Sequence, residues 1–265
     1  MNIHDMIQKE IENGYSEGDA EAKVCQDIIL KAISDSTLNR NITIKGGVVM
    51  RSLSGSIRRA TQDLDIDFIR LSLKDSYIDS FISKLNVLND ITISRVWNIK
   101  ELKQQDYHGK RVNIEIVDAY GTTIKSKIDL GVHNRLDIKQ EEYIFDIAYD
   151  DEGASLLINS TEQMFTEKLK SLLRFGTLST RYKDIFDLYY LIDLVNSDKL
   201  RNCFKSMIYD DSNIRENNIE DVITRISFIF NDDTFVNRID SSDKKWIDED
   251  INIICKKLIS FIKDF

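Results

Sequence analysis

The sequence predicts an α+β fold in two parts, a mixed half of helices and strands over residues 1–155 and a helical half over residues 156–265. Before residue 133, several segments alternate polar and apolar residues, which is the period of a half-buried strand. From residue 160 onward, apolar residues recur at three- and four-residue intervals instead, as in amphipathic helices. The length of 265 residues suits one large domain or two modest ones.

In the mixed half, glycines and polar turn residues separate the periodic segments. A short strand ends in two glycines, and a helix begins directly after them. The DAYG sequence has the composition of a hairpin turn between two strands. The predicted elements, in chain order, are helix 19–34, strand 42–45, helix 48–55, strand 61–69, helix 75–88 and strands 91–99, 111–117 and 122–132.

The helical half begins at a recognisable helix start. Ser160 and Gln163 have the spacing of a capping box before the helix predicted at 161–175. A second helix is predicted at 180–195. The rest of the chain is mostly helical in pattern and is interrupted by the polar stretches DDSN, NDD and SSDKK.

Composition and charge exclude several classes of protein. The net charge of −9 argues against a dedicated duplex-binding protein, which usually has a basic excess. No apolar run approaches the ~20 residues that a membrane span needs, and the N-terminus is too polar for a signal peptide. The three cysteines lack CxxC spacing and are expected to be reduced, buried thiols. We therefore expect a cytoplasmic protein without a membrane partner.

The most informative segment is the strand at 61–69, where Asp63, Asp65 and Asp67 alternate with apolar residues. Side chains two positions apart share a strand face at about 6–7 Å. Two carboxylates at that distance repel each other by about 2 kcal/mol at an effective dielectric constant near 20. One interpretation is a solvated acidic edge strand, which opposes unwanted strand pairing. The other is a cation site.

A second strand favours the cation site. Asp129 lies on the polar face of the strand at 122–132, beside Lys125 and Lys127. Carboxylates that converge from two strands offer the hard oxygen ligands that Mg²⁺ prefers.

Lys45, Gly46 and Gly47 lie at a strand-to-helix junction, where backbone N–H groups can approach a phosphate. A pair of glycines is weak evidence alone, because a simple turn also uses them. The order of strand, GG, helix and Asp-x-Asp strand is much more specific.

The helical half also carries charges on apolar stripes. Lys168 lies on the stripe of helix 161–175, and Asp184 and Asp187 lie on that of the next helix. Such charges must be paired or functional. A structural salt bridge and a functional role are both open.

Five segments in this order resemble the AbiEii/AbiGii-toxin-like nucleotidyltransferases, which include the toxins of type IV abortive-infection systems. The resemblance covers residues from about 20 to 195. It implies a nucleotidyltransferase-like mixed sheet flanked by helices, followed by a C-terminal helical domain that contributes to the cleft. The matching segments are KGG (45–47), RATQDLD (59–65), KIDLG (127–131), EKL (167–169) and RYKDIFDLYYL (181–191).

The family pattern Arg-x-Ser/Thr-x-Asp-x-Asp also sets the register of the acidic strand. Arg59, Thr61, Asp63 and Asp65 fit this pattern. Asp67 departs from it, because an apolar residue commonly closes that strand, and it is either a further acid near the site or a solvated neighbour.

The resemblance implies a role for each matched residue. The metal ligands for Mg²⁺ or Mn²⁺ would be Asp63, Asp65 and Asp129, with Asp129 as a ligand or as the general base. Lys168 would neutralise developing charge, and Asp184 would orient Lys168 or contact the nucleotide. The residues implied in binding the nucleotide are Lys45, Gly46, Gly47, Arg59, Thr61 and Asp187.

The implied activity is transfer of a nucleotide from a nucleoside triphosphate to an acceptor, either the 3′ end of tRNA or a protein. The protein would act as a toxin in phage defence, with a cognate antitoxin that works without a stable complex. Aspartyl-phosphate phosphatases and DxD glycosyltransferases fit the sequence less well. A degenerate nucleotidyltransferase that binds nucleotides without catalysis remains the alternative.

A basic patch near the predicted site would suit RNA phosphates, or its members simply balance local carboxylates. His108 either is a structural or exposed histidine or faces the site. The members of the patch are Arg58, Arg59, Lys103, Lys110, Arg111, Lys125 and Lys127.

Overall fold

The computed structural model describes residues 2–102, 109–135 and 137–265. The chain divides into two units, Met1–Asn159 and Ser160–Phe265. The division lies four residues beyond the predicted boundary between residues 155 and 156.

The first unit contains a seven-stranded sheet within the described residues, in the spatial order β3-β4-β5-β2-β1-β7-β6. The pairs β1/β7 and β2/β5 are parallel and the other pairs are antiparallel, so the sheet is mixed. The strands are β1 Ile42–Lys45, β2 Leu64–Phe68, β3 Ile91–Leu102, β4 Gly109–Asp118, β5 Thr123–Val132, β6 Glu141–Ile147 and β7 Asp150–Ile158.

Four α-helices of the first unit accompany the sheet in the described residues. The first two are capped by side chains that accept hydrogen bonds from the first turn, those of Asn2 and Ser16. The third begins at Gly47, directly after β1. The helices are α1 Ile3–Glu12, α2 Glu17–Asp35, α3 Gly47–Ser54 and α4 Asp75–Lys84.

Strands β6 and β7 and helix α1 are absent from the sequence-based prediction. Both strands begin with acidic residues, which are depleted in strands, and so the pattern there is weak. Pairing of β7 with the buried strand β1 supplies the stability that local propensity lacks.

The sheet has one apolar and one polar face at its centre. Ile44, Ile66 and Leu130 lie in register on β1, β2 and β5 and are fully buried. Helix α4 packs on this face, where the rings of Phe68 and Phe81 are 5.2 Å apart. Burial of the apolar face therefore fixes which way the alternating polar residues of β1, β2, β4 and β5 point.

The second unit is helical throughout its regular structure. Ser160 caps the first helix, since its hydroxyl accepts a hydrogen bond of 3.2 Å from the N–H of Gln163. Among the described residues, no helix is both long enough and apolar enough to cross a membrane. The helices are α5 Thr161–Phe175, α6 Tyr182–Leu191, α7 Ser197–Phe204, α8 Ile219–Phe230, α9 Asp233–Asp240 and α10 Ile251–Lys263, with a π-helical turn at Lys205–Tyr209. The predicted α+β class, with a mixed sheet and C-terminal helices, is confirmed.

Candidate active site

Four charged residues form one row across the polar face of the sheet. Lys45 on β1 pairs in register with Asp65 on β2, and Asp65 pairs with Asp129 on β5. Arg111 on β4 is in turn the register partner of Asp129. Because neighbouring strands are about 4.8 Å apart, the two carboxylates at the centre of the row are close neighbours. The structure therefore brings together Asp65 and Asp129, which are far apart in the sequence.

The Arg111 guanidinium binds Asp129 in a bidentate manner. Its Nε donates to Oδ1 and its Nη2 donates to Oδ2, both at 2.7 Å. Asp129 is buried, with 8% of its surface exposed, whereas Arg111 is partly exposed. A parallel fork of two charge-assisted hydrogen bonds is the strongest arrangement that a carboxylate and a guanidinium can form.

The other two aspartates of the strand also have basic partners. Lys127 Nζ lies 2.7 Å from Asp63 Oδ1, in a pair whose two side chains are partly exposed. Lys45 Nζ lies 2.8 Å from Asp67 Oδ1, and Asp67 is almost completely buried. Burial excludes the interpretation of Asp67 as a solvated neighbour. Its carboxylate instead compensates the charge of Lys45.

Asp65 lies among these charges, and no ion pair forms at its carboxylate in the part of the chain that the structure describes. Burial raises the pKa of Asp65 to about 6, and the negative charges of Asp129, Asp63 and Asp67 act in the same direction. The positive charge of Lys45 opposes the increase in pKa. The position therefore has an excess of negative charge, which an added cation would relieve.

The two glycines after β1 are required by close contacts. Gly46 has a φ of +71°, and a Cβ atom there would lie 2.3 Å from Asp65 Oδ2. A Cβ atom at Gly47 would lie 2.5 Å from Thr61 Oγ1. Only glycine allows the backbone at the start of α3 to approach both side chains this closely. The structure thus places Gly46, Gly47, Thr61 and Asp65 together.

The segment before β2 is anchored to α2 by buried polar contacts. Gln26 is fully buried and its Nε2 donates to the carbonyl oxygen of Thr61 at 2.8 Å. Arg51 on α3 donates to Gln26 Oε1. Arg59 is also buried. Sequence reasoning missed Gln26, although a glutamine inside the apolar stretch of α2 was a signal for a buried hydrogen bond.

The donor chemistry of the row fits a divalent cation, but the carboxylates are not arranged as a cage. Asp65 and Asp129 offer hard oxygen atoms from neighbouring strands, and Gly46 keeps the space beside Asp65 free of a side chain. Within the described ranges, no three acidic, histidine or cysteine side chains are gathered closely enough to hold a metal ion. Asp63 and Asp129 are oriented by their basic partners instead.

In the second unit, Lys168 forms ion pairs with both aspartates of α6. Its Nζ lies 2.8 Å from Asp184 Oδ1 and 2.8 Å from Asp187 Oδ2. Asp187 is fully buried and also accepts a 3.0 Å hydrogen bond from Trp246 Nε1. The salt bridge expected between the two apolar stripes is present. Trp246 was missed, because no local pattern connects it with α6.

The predicted basic patch divides into different environments. Lys125 lies 3.4 Å from Glu115 on the face that carries Asp129, and Arg58 is exposed. Lys110 belongs to the opposite face, where it is paired with Asp75 and Glu101, and its assignment to the site was wrong. Lys103 and His108 lie outside the described residues. The described lysines of the patch therefore balance local carboxylates.

A protein family and a solved structure are similar to this chain. No curated protein sequence matches it. A crystal structure of an antigenic nucleotidyltransferase-like protein from Paracoccidioides brasiliensis is similar with a TM-score of 0.42 and 17% identity, over 71% of this chain and 87% of that one. The model of the nucleotidyl transferase AbiEii toxin family, from type IV toxin–antitoxin systems, matches residues 28–247. The chain therefore belongs to the AbiEii family of nucleotidyltransferase toxins.

Proposed function

We propose that the protein transfers a nucleotide from a nucleoside triphosphate to an acceptor, the 3′ end of tRNA or a protein, and that the reaction requires Mg²⁺ or Mn²⁺. The observation that supports this most strongly is the row of Lys45, Asp65, Asp129 and Arg111 beside the two glycines at the start of α3. Mg²⁺ needs carboxylate oxygens as ligands, and a triphosphate needs positive side chains and accessible backbone N–H groups.

The aspartates and glycines of the site each have a place in this reaction. Asp63, Asp65 and Asp129 would hold the cation, which would polarise the α-phosphate and stabilise the departing pyrophosphate. The backbone of Gly46 and Gly47 would bind phosphate oxygens. The acceptor hydroxyl attacks the α-phosphorus and loses its proton to solvent, the bond from the α-phosphorus to the oxygen that bridges to the β-phosphate breaks, and pyrophosphate leaves. Because Asp129 is the register partner of Asp65 on the neighbouring strand, we assign Asp129 as a ligand rather than as the base.

The remaining predicted residues have supporting roles in this proposal. Arg59, Thr61 and Lys45 would orient the triphosphate. Lys168 would neutralise charge on it, held in position by Asp184 and Asp187. Because Asp187 is fully buried and hydrogen-bonded to Trp246, we assign it to the support of Lys168 rather than to direct contact with the nucleotide.

The biological proposal follows from the family. Transfer to an essential acceptor in the cytoplasm would stop growth and limit phage propagation. The antitoxin would counteract the toxin without forming a stable complex with it.

The test is to incubate the purified protein with each labelled triphosphate and with whole-cell RNA or protein, in Mg²⁺, in Mn²⁺ or in EDTA. We expect one acceptor class to be labelled only when a metal is present, and no labelling by Asp63→Asn or Asp65→Asn. The ion pairs of Asp63 and Asp129 favour the alternative, a degenerate binding module. Retention of triphosphate without labelling of any acceptor would establish that alternative.

A further inference from the structure

Arg111 binds the carboxylate of Asp129, which the proposed metal site also needs. The inference that follows from this competition rests on the proposed function. Both oxygen atoms of Asp129 accept hydrogen bonds of 2.7 Å from Arg111. A carboxylate that binds a divalent cation turns at least one oxygen toward it. A guanidinium at the same oxygen atoms would repel the cation.

We propose that Arg111 competes with the divalent cation for Asp129, so that it serves as the counter-charge of the carboxylate while the site holds no metal. In this role Arg111 balances the charge of the buried Asp129, which lies in register with Asp65. Binding of a cation then requires displacement of the guanidinium fork. Arg111 therefore lowers the affinity of the protein for the free metal ion.

The Arg111–Asp129 pair is better suited to this role than the Lys127–Asp63 pair. Lys127 and Asp63 are both partly exposed, with 37% and 50% of their side-chain surfaces accessible. Water and salt screen such a pair, and its contribution is small. In contrast, Asp129 is 90% buried at its side chain and is held by two hydrogen bonds instead of one point charge. Displacement of Arg111 from Asp129 therefore costs more free energy than displacement of Lys127 from Asp63.

The displaced guanidinium would have a second partner on the polar face of the sheet. Arg111 lies on the polar face, in the same row as Lys45. A triphosphate that arrives with the cation brings negative charge to this face. The guanidinium can thus exchange a carboxylate for a phosphate, and the metal alone should bind less well than the metal with its triphosphate.

The test measures Mn²⁺ binding to the metal-free protein from the electron paramagnetic resonance signal of the free ion. Arg111→Met retains the aliphatic stem and removes the fork. We expect it to bind Mn²⁺ about tenfold more tightly than the wild type, the factor that corresponds to about one charge-assisted hydrogen bond. Asp129→Asn in the Arg111→Met background should abolish this gain.

The matched control is Lys110→Met, which removes a positive charge from the neighbouring position of β4. Lys110 faces the other side of the sheet and is paired with Asp75 and Glu101. We expect its Mn²⁺ affinity to stay within about twofold of the wild-type value, because charges across the sheet are screened. An equal gain in both variants would show a general charge effect and overturn the proposal.

Unchanged or weaker binding by Arg111→Met would also overturn it. If that variant does not fold, as circular dichroism would show, Arg111→Lys replaces it. A lysine cannot hold both oxygen atoms, and we expect a gain of roughly threefold; unchanged binding would reject the proposal. The same measurements separate failure of this inference from failure of the proposed function. If neither the wild type nor any variant binds Mn²⁺, both the metal-dependent function and the competition by Arg111 are rejected. Wild-type binding that is lost in Asp65→Asn, without a gain in Arg111→Met, removes only the competition.

Discussion

Asp65 destabilises the metal-free protein at neutral pH, because its folded-state pKa of about 6 is above the ordinary value of 3.8. A carboxyl group with a raised pKa binds more protons in the folded than in the unfolded state between these two values. The free energy of unfolding therefore decreases as the pH rises from about 4 to about 6. The difference corresponds to at most about 3 kcal/mol.

We predict that Asp65→Asn raises the melting temperature of the metal-free protein at pH 7.5 and not at pH 4. Asparagine keeps the shape of the side chain without its charge. Melting curves in EDTA across this pH range measure the effect. The control is Asp63→Asn, which changes a partly exposed carboxylate paired with Lys127. A melting temperature for Asp65→Asn below that of the wild type at pH 7.5 would contradict the assigned environment.

At the residue scale, the strand period was sufficient to place Asp63, Asp65 and Asp67 on one face, but it could not identify their partners. The contacts of Asp129 with Arg111 and of Asp67 with Lys45 depend on strand register. Register is set by burial of the apolar face of the whole sheet, and a short segment holds no information about it. For the same reason the sequence did not show that Lys110 lies on the opposite face.

At the scale of elements, glycine positions were more informative than hydrophobic pattern. The junction of β1 and α3 was predicted from two glycines, and both have close contacts that exclude a side chain. Strands β6 and β7 were missed, because their acidic residues hide the alternation of apolar ones. Sheet pairing decides their structure, so local propensity fails there.

The α5–α6 contact gives a prediction about catalysis and packing. Lys168→Met removes the counter-charge of the fully buried Asp187, and we expect a loss of about 3–5 kcal/mol of stability. The double variant Lys168→Met with Asp187→Asn removes both charges and should recover most of this loss. Melting temperature and nucleotide transfer per folded molecule are measured for both variants.

The double variant separates the two roles of Lys168. A catalytic lysine predicts that transfer stays at least about a hundredfold below wild type after stability returns, the scale of a lost electrostatic stabiliser. Recovery of both stability and transfer would reject a catalytic role and leave a structural salt bridge. Asp184 loses its partner Lys168 in both variants, so this loss cancels when the single and the double variant are compared with each other.

At the scale of the whole molecule, family membership assigns an activity that charge alone would not indicate. The chain has a net charge of −9, and yet its polar sheet face carries Lys45, Arg111, Lys125 and Lys127. Each of these faces a carboxylate on the same surface. The positive charge is therefore local and paired, which suits a small anionic substrate better than a long stretch of duplex.

The family also predicts a cellular effect, and the Asp65→Asn variant, which we expect to be stable, permits a direct test of it. We expect regulated expression of the wild type to arrest growth and expression of Asp65→Asn to leave growth unchanged. Since this variant should be at least as stable as the wild type, a lower protein level cannot explain the difference, and immunoblots check this. Co-expression of the cognate antitoxin should restore growth without co-purification of the two proteins. Equal growth arrest by the wild type and by Asp65→Asn would show that toxicity does not require the negative charge of Asp65.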